Sequence, residues 1–316
     1  MRVYLFLLFS ISLFSCSDEP APKKYAIVYG ISCYPISEFK LPYSSNDAES
    51  VKLLLEKDGY NVICRIDSSA SLDTLVNDFT HVSKIIHPND LFLFYFSGHG
   101  LSNKTMISFN DTTKNAQYFS VLLYNKNIEY PLDKYLNKSV LTIKKLNELF
   151  SVVGSKAKVA VVDACYSGLT LTDKAVVDVL PDNYDGTDIK HLSTSEIFNQ
   201  ACSNYMARMS RNGPTQNFLL LTSAGNDEVA WDGFFSHSVF TYFFLMAAEQ
   251  GDLNSDGKIT LLETYNYSMA AYQKYWNTPL RDNDWNYLPR ISGKAVDVTV
   301  FSKKHAVDNS IINETN

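Results

Sequence analysis

Apolar residues in this chain fall in short unbroken runs, separated by stretches with helical periodicity. "KYAIVYGIS" (residues 24–32), "DLFLFYF" (90–96), "KVAVVDA" (158–164) and "NFLLLTSA" (217–224) lack polar alternation, the pattern of strands buried on both faces. "NVICRID" (61–67) reads as one more strand. Between them, "SNDAESVKLLLEKDGY" (45–60) opens on Asn/Asp and reaches Gly59 past its end, as a helix does. "SLDTLVNDFTHVSKII" (71–86) and "TIKKLNELFSVV" (142–153) carry the same period. Strands that alternate with helices in this way predict an α/β fold, a parallel sheet covered on both faces and joined by right-handed crossovers. Two long polar stretches, 101–139 and 169–216, fit the scheme poorly and hold only short elements. Loops of that length in a compact domain are usually functional or disordered.

The N-terminus departs from this pattern. "MRVYLFLLFSISLFSC" has one Arg, an apolar run and small residues before Cys16, the layout of a signal peptide and too short for a spanning helix. Its end resembles a bacterial lipobox, which implies a lipoprotein signal peptide over residues 1–15 and lipidation of Cys16. Residues 16–23 then read as a tether, with Ser17-Asp18-Glu19 similar to acidic export tags on surface lipoproteins. The expected location is the bacterial cell envelope, on the periplasmic or exposed side of an outer membrane, held by a lipid anchor. A plain cleaved signal peptide is the alternative. The 316 residues suffice for a sizeable core. The net charge of −6, with no long basic run, gives nucleic-acid binding no electrostatic support. Of the five cysteines none forms a CxxC pair; Cys33 and Cys64 leave open either a disulfide or buried free thiols.

Two strand ends carry reactive side chains. "FYFSGHG" ends on His99 between Gly98 and Gly100, and "VAVVDACYSG" ends on Cys165 before Gly168. Ligands of open parallel sheets bind at the carboxyl ends of strands. A thiol with a pKa near 8.5 becomes a useful nucleophile beside an imidazole. The backbone N–H groups of Cys165 and Gly100 are then candidates for holding the developing oxyanion. Each motif alone also reads as ordinary structure, a turn or a packed thiol; together on two apolar strands they are far more specific.

The pair resembles the caspase-like cysteine peptidases, above all their metacaspase-type bacterial members. "YAIVYGISCYP", "LPYSSNDAESVKLLL", "SGHG", "DACYSG" and "LLTSAGNDEVAW...HSVFTYFF" carry the similarity over roughly residues 24–300. The resemblance implies a three-layer α/β/α domain at 24–302 with a mostly parallel, roughly six-stranded sheet, followed by a tail at 303–316. It also implies Cys165 as nucleophile, His99 as general acid and base, and a substrate pocket containing Asp163, Asp47, Ser97 and Ser44. Relatives often carry Cys where Ser44 stands, and true caspases have Gln-Ala-Cys where this chain has Asp163-Ala164-Cys165. Two carboxylates beside a nucleophile suit an Arg or Lys side chain. Asp47 also reads as a helix N-terminal acid placed by the macrodipole. Ser223, Ala224 and Gly225 are expected to offer a strand edge to an extended peptide. Trp231 either walls a subsite or packs in the core. Self-cleavage after Lys174, Lys190, Arg208 or Arg211 is one reading of the long loop, an exposed basic patch the other.

"DLNSDGKITLLE" matches the twelve-residue EF-hand loop. Asp252, Asn254 and Asp256 supply side-chain oxygens, Lys258 its carbonyl, Thr260 a direct or water-borne contact, and Glu263 two oxygens. With flanking helices the unit covers 238–275, and the cofactor expected is calcium. An Asp/Asn/Gly turn without metal is the alternative. Two functions compete: a membrane-tethered cysteine endopeptidase acting on peptides or proteins with a basic P1 residue, and a non-catalytic, calcium-stabilised surface binding module. Nucleotide binding lacks any GxGxxG or P-loop and is discarded. The sequence does not fix an oligomeric state.

Overall fold

The structure, a computed structural model, describes residues 21–101, 120–129, 132–164, 217–224, 230, 232–276, 288–293 and 298–303. Among these, six strands form one sheet: β1 (Lys24–Gly30), β2 (Tyr60–Ile66), β3 (Leu91–Gly98), β6 (Ala157–Ala164), β7 (Leu219–Thr222) and β11 (Arg290–Ser292), in the order β11-β7-β6-β3-β1-β2. All pair in parallel except β11, which runs antiparallel to β7. The expected three-layer, mostly parallel architecture is the one observed.

Side chains alternate across each strand. Phe92, Phe94 and Phe96 of β3 join Ile27, Tyr29, Ala160 and Val162 on one face. That face is covered by α2 (Leu72–Ile85), α3 (Leu132–Ser139) and α4 (Ile143–Ser151). Leu91, Leu93 and Tyr95 join Ala26, Val28, Val159 and Val161 on the other, under α1 (Ser44–Lys57), α5 (Val239–Gln250) and α6 (Leu261–Ala271). Every residue of β3 is buried. Full burial of a Phe side chain is worth about 1.5–3 kcal/mol, so the three on β3 fix this strand firmly before its tip.

Shorter pairs complete the frame: β4 (Ser120–Leu122) with β5 (Val140–Thr142), β8 (Asp232–Phe234) with β9 (His237–Ser238), and β10 (Lys258–Thr260) with β12 (Thr299–Ser302). β4 and α3 are the short elements described in the polar stretch 101–139, while β11 and β12 carried no clear signal in the sequence. The two cysteine readings are decided in favour of free thiols, though neither is fully buried. Cys33 and Cys64 are both free thiols, Cys33 is exposed and Cys64 half-buried. Burial pushes the Cys64 thiol up to about 11. No helix among the described residues is long and apolar enough to cross a membrane.

Candidate active site

β3 and β6 are neighbours in register, with Ser97 opposite Asp163 and Gly98 opposite Ala164. His99 follows the end of one strand and Cys165 follows the end of the other in sequence. Cys165 itself lies outside the described residues, as do Cys16, Gly225, Trp231, Lys174, Lys190, Arg208 and Arg211.

His99 is held in an aromatic nest. Its ring lies 4.9 Å from that of Tyr34 and 5.8 Å from that of Phe39 between centroids. Nε2 lies 2.7 Å from the Phe39 carbonyl oxygen. A carbonyl only accepts, so Nε2 carries the proton and donates, and the neutral ring keeps Nδ1 as its basic atom. Burial holds the imidazole down to about 4, only partly offset by the Phe39 carbonyl. At neutral pH the ring is therefore an uncharged base.

The backbone at this tip is fixed from both sides. Tyr34 OH accepts from His99 N (3.0 Å) and donates to Leu122 O (3.1 Å). A Cβ on Gly98 would lie 2.7 Å from the Tyr34 hydroxyl, so only glycine admits this clamp. β4 closes the other side: Leu122 N donates to His99 O and Leu101 N donates to Ser120 O, each at 2.9 Å. These bonds flank a bridge between Gly100 and Val121. In that pattern the N–H and C=O of Gly100 point away from β4, which suits the oxyanion role expected of Gly100.

The opposite face of the same strand ends holds two acids. Asp47, in the first turn of α1, is 0% exposed, and Asp163 of β6 is 3% exposed. Asp47 Oδ2 accepts from Ser97 Oγ (3.0 Å), and Oδ1 accepts from His237 Nδ1 (2.9 Å) and Ser238 N (3.2 Å). Asp163 Oδ2 accepts from Ser238 Oγ and from Thr241 Oγ1, the latter at 2.6 Å. Tyr95 OH in turn donates to Thr241. Ser238 is thus the hub: it caps α5 by accepting from Thr241 N at 3.0 Å, worth about 1 kcal/mol, and touches both carboxylates. The α1 end is fixed by Asp67, whose Oδ1 accepts from Ser32 N, Cys33 N and Ser45 Oγ.

Burial raises both carboxyls. Asp163 is pushed up to about 7 by desolvation first and the charge of Asp47 second. Asp47 is raised by desolvation, against the pull of His237, Ser97 and the Ser238 N–H. The ion pairs of the described residues bring neither lysine nor arginine to either acid; the basic side chain bonded to Asp47 is the His237 imidazole.

The family model of the caspase domain, Peptidase_C14, matches residues 23–283, which takes in both strand ends and the acid pair. The chain belongs to the caspase-domain family. That is a family of cysteine peptidases, and caspase-like proteases act on peptide or protein substrates. Two solved structures share the fold. The protein GSU0716 from Geobacter sulfurreducens superposes with a TM-score of 0.55 at 15% identity, covering 86% of this chain and 93% of that one. Caspase-1 from Spodoptera frugiperda gives 0.51 at 14%, covering 91% and 96%. A search of curated proteins gives no match.

Within this caspase domain the remaining expected residues divide. Ser97 and the two acids come together as anticipated. Ser44 is buried in the first turn of α1, its carbonyl packed where a Cβ on Gly30 would fall, and no bond joins it to the acids. Ser223 and Ala224 follow the end of β7. They are 2% and 1% exposed; Ser223 N donates to Val162 O, its Oγ pairs with the backbone of Ala164, and β11 occupies the outer side of β7.

Residues 252–263 form the helix-loop-helix connection between α5 and α6, and the central part of the loop pairs with β12. Gly257 has φ +80, as the sharp turn requires. Asp252 accepts from Asp256 N and Gly257 N, Asn254 Oδ1 from Asp256 N, and Asp256 Oδ1 from Lys258 N. Glu263 Oε2 accepts from Thr260 N and Oγ1 in a capping box, while Glu263 Oε1 is buried with no partner. Lys303 Nζ lies 3.0 Å from Asp252 Oδ2. No group of three His, Cys, Asp or Glu side chains converges to hold a metal among the described residues.

Sequence reasoning missed His237, Ser238, Thr241 and the Phe39 carbonyl. The first three stand in the quoted "HSVFTYFF", where the Ser before an apolar helix was a visible cap signal. A backbone carbonyl such as that of Phe39 has no signature in sequence.

Proposed function

We propose that this protein is a cysteine endopeptidase that cleaves after Arg or Lys, with Cys165 as nucleophile and His99 as general base and acid. The observation that carries it is the register of β3 against β6. It ends the two strands side by side, one leading into an uncharged, single-tautomer imidazole and the other into a cysteine. His99 Nδ1 takes the thiol proton as sulfur attacks the scissile carbonyl carbon. The oxyanion is met by the N–H groups of Gly100 and Cys165. The same imidazole returns the proton to the departing amine, leaving a thioester that water hydrolyses with His99 again as base.

The basic preference is supported by the acid pair: two buried carboxylates, hydroxyl-lined, with no lysine or arginine paired to them among the described residues. A guanidinium or ammonium entering there meets charge-assisted bonds of about twice ordinary strength. Hydrolysis of a fluorogenic peptide panel, comparing the parent with Cys165→Ala, tests the assignment. Activity that survives the substitution, or faster cleavage after Asp than after Arg, refutes it.

For the loop at 252–263 we infer a calcium site of structural role. The donor set suits a hard cation, and the buried, unpartnered Glu263 Oε1 is an oxygen such an ion would satisfy. Asp252, Asn254, Asp256, the Lys258 carbonyl and Glu263 would hold it. A lipid anchor at Cys16 would place the enzyme on the cell envelope; a Cys16→Ser protein that still partitions with membranes would remove that reading.

A further inference from the structure

The approach to the acid pair is not open. Asp47 has no exposed surface, and of its partners among the described residues Ser97 and Ser238 are almost as deeply buried. His237 is the partner nearest solvent, with 12% of its side chain exposed, and it holds the Asp47 Oδ1 that a substrate cation would seek. Nδ1 is committed to Asp47 across a gap of 190 residues in sequence.

The element that carries His237 is itself strained. β8 and β9 are joined through Phe235 and Ser236, with φ of +50 and +61. Two-residue hairpins of this hand favour Asn-Gly, and side chains bearing Cβ in this region are disfavoured. Phe235 is 63% exposed, its ring stacked on Tyr242 at 5.2 Å. The hairpin is therefore a short, exposed strap. It is tied down at its C-terminal side by the bonds of His237 and Ser238 to the acids.

We propose that His237 is a specificity-determining residue, a built-in cap on Asp47 that the basic P1 side chain must displace. The inference rests on the Arg/Lys pocket proposed above. His237 fills the carboxylate oxygen when the pocket is empty, so Asp47 is never left buried with only Ser97 and a backbone N–H. An entering guanidinium trades one charge-assisted bond for another and gains only the difference. The cap thereby weakens binding of single cations and favours P1 groups able to reach Asp163 as well.

The test compares the parent with His237→Ala and His237→Gln on a peptide with Arg at P1. It also measures calorimetric binding of agmatine, a guanidinium probe, to the same three proteins in a Cys165→Ala background. Loss of one charge-assisted competitor is expected to lower KM about tenfold in His237→Ala, with the change in KM exceeding that in kcat. Agmatine should bind tighter by a similar factor, and the Gln variant, whose amide keeps a neutral hydrogen bond, should fall between. If His237→Ala fails to fold, His237→Gln and agmatine decide alone. Unchanged or higher KM with unchanged agmatine binding, where Asp163→Asn still abolishes the preference for Arg, overturns the cap and leaves the pocket standing. A parent indifferent to P1 charge overturns both.

Discussion

The two faces of one strand end solve the burial of a titratable group in opposite ways. At one, His99 is enclosed by Tyr34 and Phe39 and its ring bonds, among the described residues, to a carbonyl. Facing α1 and α5, Asp47 and Asp163 are surrounded by hydroxyls, a backbone N–H and an imidazole. Desolvation drives both sites toward their neutral forms. The aromatic nest offers a charged ring only the Phe39 carbonyl, which does not outweigh desolvation, so the ring stays a base. The hydroxyl nest offers several donors and leaves the acids poised to ionise when a cation arrives. Dryness suits the proton carrier, and prearranged dipoles suit the site that reads charge.

The sharpest way to break this contrast is to remove the base. His99→Ala should lower kcat by about 10²–10⁴-fold, the usual contribution of a general acid-base residue, with arginine preference retained in the residual activity. A loss confined to KM would mean that the aromatic nest binds substrate instead. Next, Asp163→Ala should cut kcat/KM on arginyl peptides by about 10²-fold, from truncating a buried charge partner, while a peptide with a neutral P1 residue changes far less. Equal losses on both would show that the acids merely hold the sheet.

The pH response separates the two nests as well. Asp163 must shed its proton before a cation gains from it, so kcat/KM on arginyl peptides should rise with pH through about 7, and Asp163→Asn should remove that limb. His99 stays neutral down to about 4. Its folded value lies below its unfolded one, so its contribution to stability is lost as pH falls from about 6.5 toward 4. The raised Asp163 acts with opposite sign: its contribution is full below the unfolded carboxylate value and is lost as pH rises through about 7.

Smaller effects concern the frame. Gly98→Ala places a methyl 2.7 Å from both the Tyr34 hydroxyl and the Phe96 ring. Overpacking of this kind costs about 1–3 kcal/mol, a fall in Tm of a few degrees by calorimetry, and it should disturb His99 more than the acid pair. Calcium in excess should raise Tm by an amount that a chelator reverses, and Glu263→Gln should blunt it. A Tm indifferent to both would remove the ion from the loop.

Much of this was legible in the sequence because buried parallel strands announce themselves. "DLFLFYF" and "KVAVVDA" carry no polar alternation, and their tips named His99 and located Asp163. The apolar runs pointed to a site at the carboxyl ends of these two strands, and the acids entered through the resemblance to caspase-like peptidases. What escaped has a common cause. Tyr34 and the Phe39 carbonyl act through long-range geometry, and His237 reaches Asp47 from a hairpin too short and too strained to be announced by turn residues.

The main sheet is shared between distant stretches of chain. β6 precedes residues 165–216 and β7 follows them, yet the two strands are hydrogen-bonded from Val159 with Leu219 to Val162 with Thr222. The bonds from His237, Ser238 and Thr241 to Asp47 and Asp163 cross the same divide. A single cut anywhere in that intervening stretch would therefore yield two polypeptides that migrate apart under denaturing conditions but travel together in native buffer. They would remain clasped by a ladder that never depended on covalent continuity.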